Sequence, residues 1–217
     1  MILGIYGAGG LGREVLELAR IYNAQNNKWT DIIFVIDGEP EGMVNGAKVY
    51  NVDIAIKEMA NDIEFVIAIG EPAVREKLFK KLNSQNLKFA TIVHPDVNIA
   101  ETTTIGKGSI ISQGCFISFN ITIGDNVYIQ PHASLGHDDV IKEGALLSGF
   151  TNIAGNVTIG SYSYLGLSVA VKERTTIGDN SIIGMFSAVY KDIESGVIAM
   201  GNPARVMKMN EDRKVFK

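Results

Sequence analysis

The sequence predicts two structural parts in series, a small α/β parallel sheet over residues 1–92 and a parallel β-helix over residues 93–217. Three observations carry this. Apolar strands alternate with amphipathic helical segments in the first part. An aliphatic residue recurs at every sixth position through the second. Glycine is abundant (23 residues) while aromatics make up only 8% of the chain, which favours tight repeated turns over a bulky aromatic core. With 217 residues and 46% hydrophobic content, the chain is long enough for two small domains.

In the first part, Ile2 to Tyr6 reads as a short apolar strand. Leu11, Val15, Leu16, Leu18, Ala19 and Tyr22 fall at helical spacing behind it. Asp31 to Ile36 is a second strand and ends at Asp37-Gly38. Ile63 to Ile69 is a third, followed by a helix from Pro72 to Leu82 with proline in its first turn. Phe89 to Val93 reads as a last strand. Strands alternating with helices in this way build a parallel sheet covered by helices. Between the first strand and helix lies Gly7-x-Gly9-x-x-Gly12, which places open N–H groups at a helix N-terminus, a good seat for a diphosphate in a Rossmann-like domain. Asp37, at the end of the second strand, is placed to accept from a ribose or a base.

From Val93 onward, steps of six land on Ile99, Ile105, Ile111 and so on without interruption to Val189. Chance does not produce so long an unbroken series. Each hexad supplies a short strand and a turn, and its aliphatic residue points into a narrow shaft. Residues four places on, such as Thr103, Ser109, Cys115, Ala133 and Ala145, are small enough to fit beside the stack. Gly and polar residues after the aliphatic one, as in Ile-Gly-Asp-Asn at 123–126 and 177–180, suit turns. Such a stack buries a continuous core only when several coils are present.

The formal net charge is −4 with no run of Lys or Arg, which argues against a nucleic-acid or anionic-membrane surface. The one cysteine, Cys115, cannot form an intrachain disulfide. The first residues carry neither a basic leader nor a long apolar run, and the two features together suit a cytoplasmic protein.

Among three histidines, His137 stands third in its hexad and therefore points outward, with Asp138 and Asp139 next to it. An imidazole beside a carboxylate is a general-base pair, the acid orienting the ring and stabilising its charged form. Gly155 follows His137 by three hexads, and wherever the coil brings the two side by side its open N–H could face a developing oxyanion. Cys115 occupies an interior position and is not expected to act as a nucleophile.

The hexads resemble those of the hexapeptide-repeat acyltransferases. That resemblance implies a left-handed parallel β-helix of three hexads per coil, and a homotrimer with active sites between neighbouring helices. The fuller resemblance is to the hexapeptide-repeat sugar acetyltransferases, which N-acetylate nucleotide-linked 4-amino sugars, as in bacillosamine synthesis, or O-acetylate sialic acid. It runs through Gly7 to Gly12, Ile36-Asp37, Ala68-Ile69-Gly70, Gly136-His137-Asp138-Asp139-Val140-Ile141 and Gly201-Asn202-Pro203-Ala204-Arg205. It implies an acetyl-CoA-dependent transferase without metal, with His137 as base and Asp138 as its acid partner. The family's acetyl-CoA contacts fall on Leu146, Gly155, Leu167 and Met185. Its nucleotide-sugar contacts fall on Gly9, Gly10, Leu11, Asp37, Gly38 and Gly70. Relatives often carry histidine where Leu11 and Leu146 stand here.

Three other readings compete. The glycine loop alone would suit NAD, but the first part is small and no dehydrogenase-type domain follows it. His132 and His137 are spaced as in β-helix zinc enzymes, yet the third ligand position holds Asp96, with His94 two residues out of phase. A non-catalytic scaffold that binds nucleotide sugars is the third.

Overall fold

The computed structural model describes residues 1–39, 42–59 and 61–216. The first part holds β1 (Ile2–Tyr6), α1 (Gly10–Asn26), β2 (Asp31–Ile36), β3 (Met43–Val44), β4 (Ala47–Asn51), α2 (Val52–Met59), β5 (Ile63–Ile67), α3 (Pro72–Ser84) and β6 (Lys88–Phe89). They form one sheet in the order β3-β4-β2-β1-β5-β6, parallel apart from the β3–β4 hairpin. β1 and β5 are neighbours inside it and are apolar almost throughout, as strands covered on both faces must be. The sequence pattern does not reveal β3, β4 or α2. In β4 only Ala47 and Val49 are buried, so the segment lacks the continuous apolar run that marks a central strand.

The expected strand from Phe89 to Val93 is two strands in different sheets. Lys88–Phe89 closes the first sheet beside β5, and Ile92–Val93 opens the helix beside Ile110–Ile111. The chain passes from one architecture to the other within Ala90 and Thr91.

From there, two-residue strands β7 to β22 (Ile92–Val93 through Ala188–Val189) recur along the hexads, except at 98–99. They stack into three parallel faces of a left-handed β-helix, with each strand pairing to the one 18 residues on, as Ser134 does to Asn152. β23 (Val197–Gly201) and β24 (Ala204–Met209) end the longest face. The stepped aliphatic residues from Ile111 to Val189 are all buried in one core, while Val93, Ile99 and Ile105 at the open end are partly covered. Each full burial contributes about 2 kcal/mol.

The corners share one backbone device. The fourth residue of every hexad from Gly108 to Phe186 has a positive φ. Gly, Asn and Asp take that conformation readily, and many of these positions hold them. His132, Phe150, Tyr162, Arg174 and Phe186 adopt it at a cost of about 1 kcal/mol each. Asp138, at φ 60°, is one of the well-suited residues.

The two parts meet along the face bearing Ile110, Tyr128 and Leu146, which packs against Val15, Leu16 and Ala19 of α1. Arg75 of α3 locks this seam. It is fully buried, donates to the Ile67 carbonyl at 3.0 Å, and reaches the carbonyl and the side-chain oxygen of Asn126 on a helix corner. Burial pulls its guanidinium down to about 10, so it stays charged at neutral pH. No helix among the described residues is long and apolar enough to cross a membrane.

Candidate active site

His137 lies on the corner between the face carrying Ser134 and the face carrying Val140. Its Nδ1 is 2.7 Å from Asp138 Oδ2. Donation of the Nδ1 proton to that carboxylate leaves the Nε2 lone pair facing outward. The left-handed backbone at Asp138 is what turns its carboxylate back onto the preceding ring. Asp138 Oδ1 also accepts from Asn120 Nδ2 at 3.0 Å. The hydrogen bonds from His137 and then Asn120 hold the Asp138 carboxyl below its ordinary range, so the acid is ionised wherever the imidazole can act as a base.

The ring is held between neighbouring coils. Phe119, one coil before, stacks on it at 5.7 Å between centroids and 15° between planes. Gly155, one coil after, packs so closely that a Cβ there would lie 2.6 Å from His137 Nε2. At some corners the N–H of the third residue is capped by a side chain one coil on: Lys107 by Asp125 at 3.0 Å, Ser161 by Asp179 at 2.8 Å. The Gly155 N–H, like those of His137, Glu143 and Leu167, has no such cap and no acceptor among the described residues. Gly136 makes the close stacking possible, since a Cβ on it would lie 2.4 Å from the Gly155 nitrogen. Neither Phe119 nor Asn120 stands out in the sequence. Both lie 18 residues before the His137–Asp138 pair, so the coil repeat followed backward leads to them.

Beneath the pair, Asp139 is fully buried, and its Oδ1 accepts the Val157 N–H at 2.8 Å. Ser109 and Ser163 make the same bond to the next coil at their corners, at 3.0 and 3.1 Å. Burial pushes the Asp139 carboxyl up from 3.8 to about 7, against the pull of the Val157 and Gly136 N–H groups. Between those pH values the folded protein binds the proton more tightly than the unfolded chain. Stability therefore falls as pH rises from about 4 to about 7. Asp139→Ser keeps the bond to Val157 and discards the carboxyl. Compared with wild type, it is expected to gain on the order of 3 kcal/mol at pH 7.5 and little at pH 4. Denaturant melts at both pH values measure this, and an equal effect at both contradicts it.

The remaining expected site residues fall in three places. Leu167 and Met185 are exposed on the corner between the seam face and the face carrying Ser134, across that face from His137. Leu146 does not join them. Its side chain is 1% exposed and lies in the seam with Tyr128. Gly9, Gly10, Leu11, Asp37, Gly38 and Gly70 gather at the carboxyl ends of β1, β2 and β5. Side chains added at Gly9, Gly10 or Gly38 would meet only open space. Asp37 accepts from the Tyr6 hydroxyl at 2.8 Å, and Lys81 lies 4.0 Å away. Burial, then the Asp37 contact, pushes the Tyr6 phenol above its usual range, so it remains a donor. Cys115 is buried, and burial pushes its thiol up to about 11, leaving almost no thiolate at neutral pH.

A Rossmann-like sheet feeding a left-handed β-helix with an outward His–Asp pair defines a hexapeptide-repeat transferase. Residues 3–82 match the family described as the PglD N-terminal domain. Galactoside O-acetyltransferase of Escherichia coli (strain K12) is 35% identical over 157 residues, covering 66% of this chain and 72% of that protein. The acetyltransferase domain of PglB from Neisseria gonorrhoeae FA1090, solved in complex with acetyl coenzyme A, superposes with a TM-score of 0.88 at 25% identity, covering 95% of this chain and 98% of that one. PerB from Caulobacter crescentus, in complex with CoA and GDP-perosamine, gives 0.84 at 27% identity, with 95% and 97% covered. The chain belongs to the hexapeptide-repeat sugar acetyltransferase family. It matches about half the length of other curated relatives, among them GDP-perosamine N-acetyltransferase of Escherichia coli O157:H7, 30% identical over 124 residues and 56% of that protein.

Proposed function

We propose that this protein transfers the acetyl group of acetyl-CoA to the amine of a nucleotide-linked amino sugar, forming an amide. The observation that carries this reading is His137, oriented by Asp138 and with its ring packed against Gly155, whose N–H has no acceptor among the described residues. The sugar nitrogen attacks the thioester carbonyl and a C–N bond forms while His137 Nε2 takes the proton the amine loses and the Gly155 N–H donates to the thioester oxygen as it becomes negative. The C–S bond then breaks, and the departing CoA thiolate takes that proton to leave as the thiol. The diphosphate fits at Gly9, Gly10 and Leu11, with Asp37, Gly38 and Gly70 around the nucleoside and sugar. Leu167 and Met185 lie a face away from His137 within one chain, and a homotrimer with sites between neighbouring helices, where the corners of two copies come together, is part of this reading. A cytoplasmic enzyme acting in surface-glycan synthesis is consistent with nucleotide-activated substrates.

The similarity to a galactoside O-acetyltransferase favours a second reading, ester formation on a sugar hydroxyl, for which the same base would serve. One assay separates them. CoA release is measured with acetyl-CoA and UDP-, dTDP- or GDP-linked 4-amino sugars, alongside free galactosides and sialic acid. Release with at least one nucleotide-linked amine, and an acetylated product, is expected. Release only with the free sugars replaces N- by O-acetylation. Release with none leaves a binding scaffold.

A further inference from the structure

The strand order places a topological switch between β1 and β5. The chain runs from β1 outward through β2 to β4, then returns to β5 on the other side of β1. Ligands of such sheets bind in the crevice at the carboxyl ends of the two strands flanking the switch. Here the Gly7–Gly12 loop follows β1 and the Ala68–Gly70 loop follows β5. The two loops touch, since a Cβ at Gly7 would lie 2.7 Å from Ile69 Cδ1 and 3.0 Å from the Ala68 carbonyl oxygen.

The end of the chain returns to this place from the far end of the β-helix. Asn210 is buried and fixes the start of the return, its N–H donating to Gly196 O and its Nδ2 to Asn180 O, each at 2.8 Å. Arg213 pairs with Glu76 of α3 at 2.5 Å. Glu71 stands at the N-cap position of α3 but makes no side-chain bond to the helix. Its two carboxylate oxygens instead accept the backbone N–H groups of Val215 (2.8 Å) and Phe216 (3.2 Å). The Phe216 ring meets Tyr164 edge-on at 5.7 Å and 84°. It also covers Gly70, where a Cβ would lie 3.2 Å from the ring. Despite these contacts, Phe216 is 54% exposed. An aromatic ring is thus tethered at the rim of the crevice, held through its own N–H and left half open.

We propose that residues 211–216 form the outer wall of the nucleotide site and that Phe216 contacts the nucleoside of the nucleotide sugar. This rests on the reading given under Proposed function and adds a residue to it. A ring that packs on a base is tolerant of base identity, because every base has a π-face, and its removal weakens binding about tenfold. The strap also joins the last residues of the β-helix to the first part, so the nucleotide site draws on both ends of the chain.

Calorimetric titration of GDP, UDP and dTDP into the full chain tests this, with Phe216→Ala and Phe216→Tyr compared to wild type. Phe216 is half exposed, so neither change threatens folding, and an unchanged Kd for acetyl-CoA checks that. For whichever nucleotide binds, Phe216→Ala is expected to raise Kd about tenfold and Phe216→Tyr to restore it. In turnover, the KM for the nucleotide sugar rises while kcat at saturation is kept. A Kd within twofold of wild type for Phe216→Ala, or tighter binding, overturns the wall and leaves the proposed function standing. No binding of any nucleoside diphosphate to the wild type overturns both.

Discussion

His137→Ala is expected to lower kcat for acetyl transfer by about 10²- to 10⁴-fold, with little change in the KM of either substrate. The ring is half exposed, and its one side-chain hydrogen bond among the described residues is to Asp138. Its packing against Phe119 and Gly155 lies at the surface, outside the aliphatic shaft, so removal leaves the folded core intact and a melting temperature near wild type is part of the expectation. The loss belongs in kcat because proton acceptance is needed as the C–N bond forms and not when the substrates bind. A smaller fall in kcat is expected for Asp138→Ala, which frees the ring to turn. The pH profile of kcat/KM supplies an independent check, since its acidic limb reports protonation of the base and should vanish in the residual activity of His137→Ala. A variant that keeps a tenth or more of wild-type kcat on the authentic acceptor removes His137 from the mechanism.

The β-helix is legible in the sequence because its determinant is strictly periodic. One aliphatic residue every six positions fills one shaft, and no distant contact is needed to read it. The same register, stepped by one coil, sets Gly155 against His137, and the two do meet there. What the period does not show is which outward face is covered. Leu146 and Leu147 are neighbours in sequence and point opposite ways, Leu147 into the shaft and Leu146 into the seam with α1. Only the docking of the first part decides that Leu146 is inaccessible. Arg75 is hidden for a similar reason. On a helix it reads as an ordinary surface cation, and its burial depends on Asn126, 51 residues away. Asp139 likewise reads as a second acid beside the base, whereas its place in the hexad, four after Leu135, turns it inward where other corners carry Ala, Val or Ser.

Gly155→Ala is the sharper test of how the site is assembled, because glycine at this position is not required by the backbone. The corner glycines at 108, 114 and 144 have positive φ, and side chains there strain the turn. Gly155 is not among the positive-φ residues, so alanine fits its backbone without strain. What alanine does not fit is the histidine, since its Cβ would fall 2.6 Å from Nε2, 2.7 Å from Cε1 and 3.0 Å from Cδ2 of His137. The ring must shift by about 1 Å to restore contact distance, and Phe119 on its other face blocks the simplest direction of escape. A displacement of that size at a reacting group costs about 100-fold in rate. The expected result is therefore a large fall in kcat with stability, nucleotide binding and acetyl-CoA binding close to wild type. A second substitution discriminates the cause. If crowding of the ring is what Gly155→Ala does, Phe119→Ala in the same chain gives the imidazole room and recovers part of the activity, although Phe119→Ala alone lowers it. If Gly155 serves only as an N–H donor, alanine, which keeps that N–H, leaves kcat unchanged. That outcome shows that the contact between the coils is not what sets the position of the base.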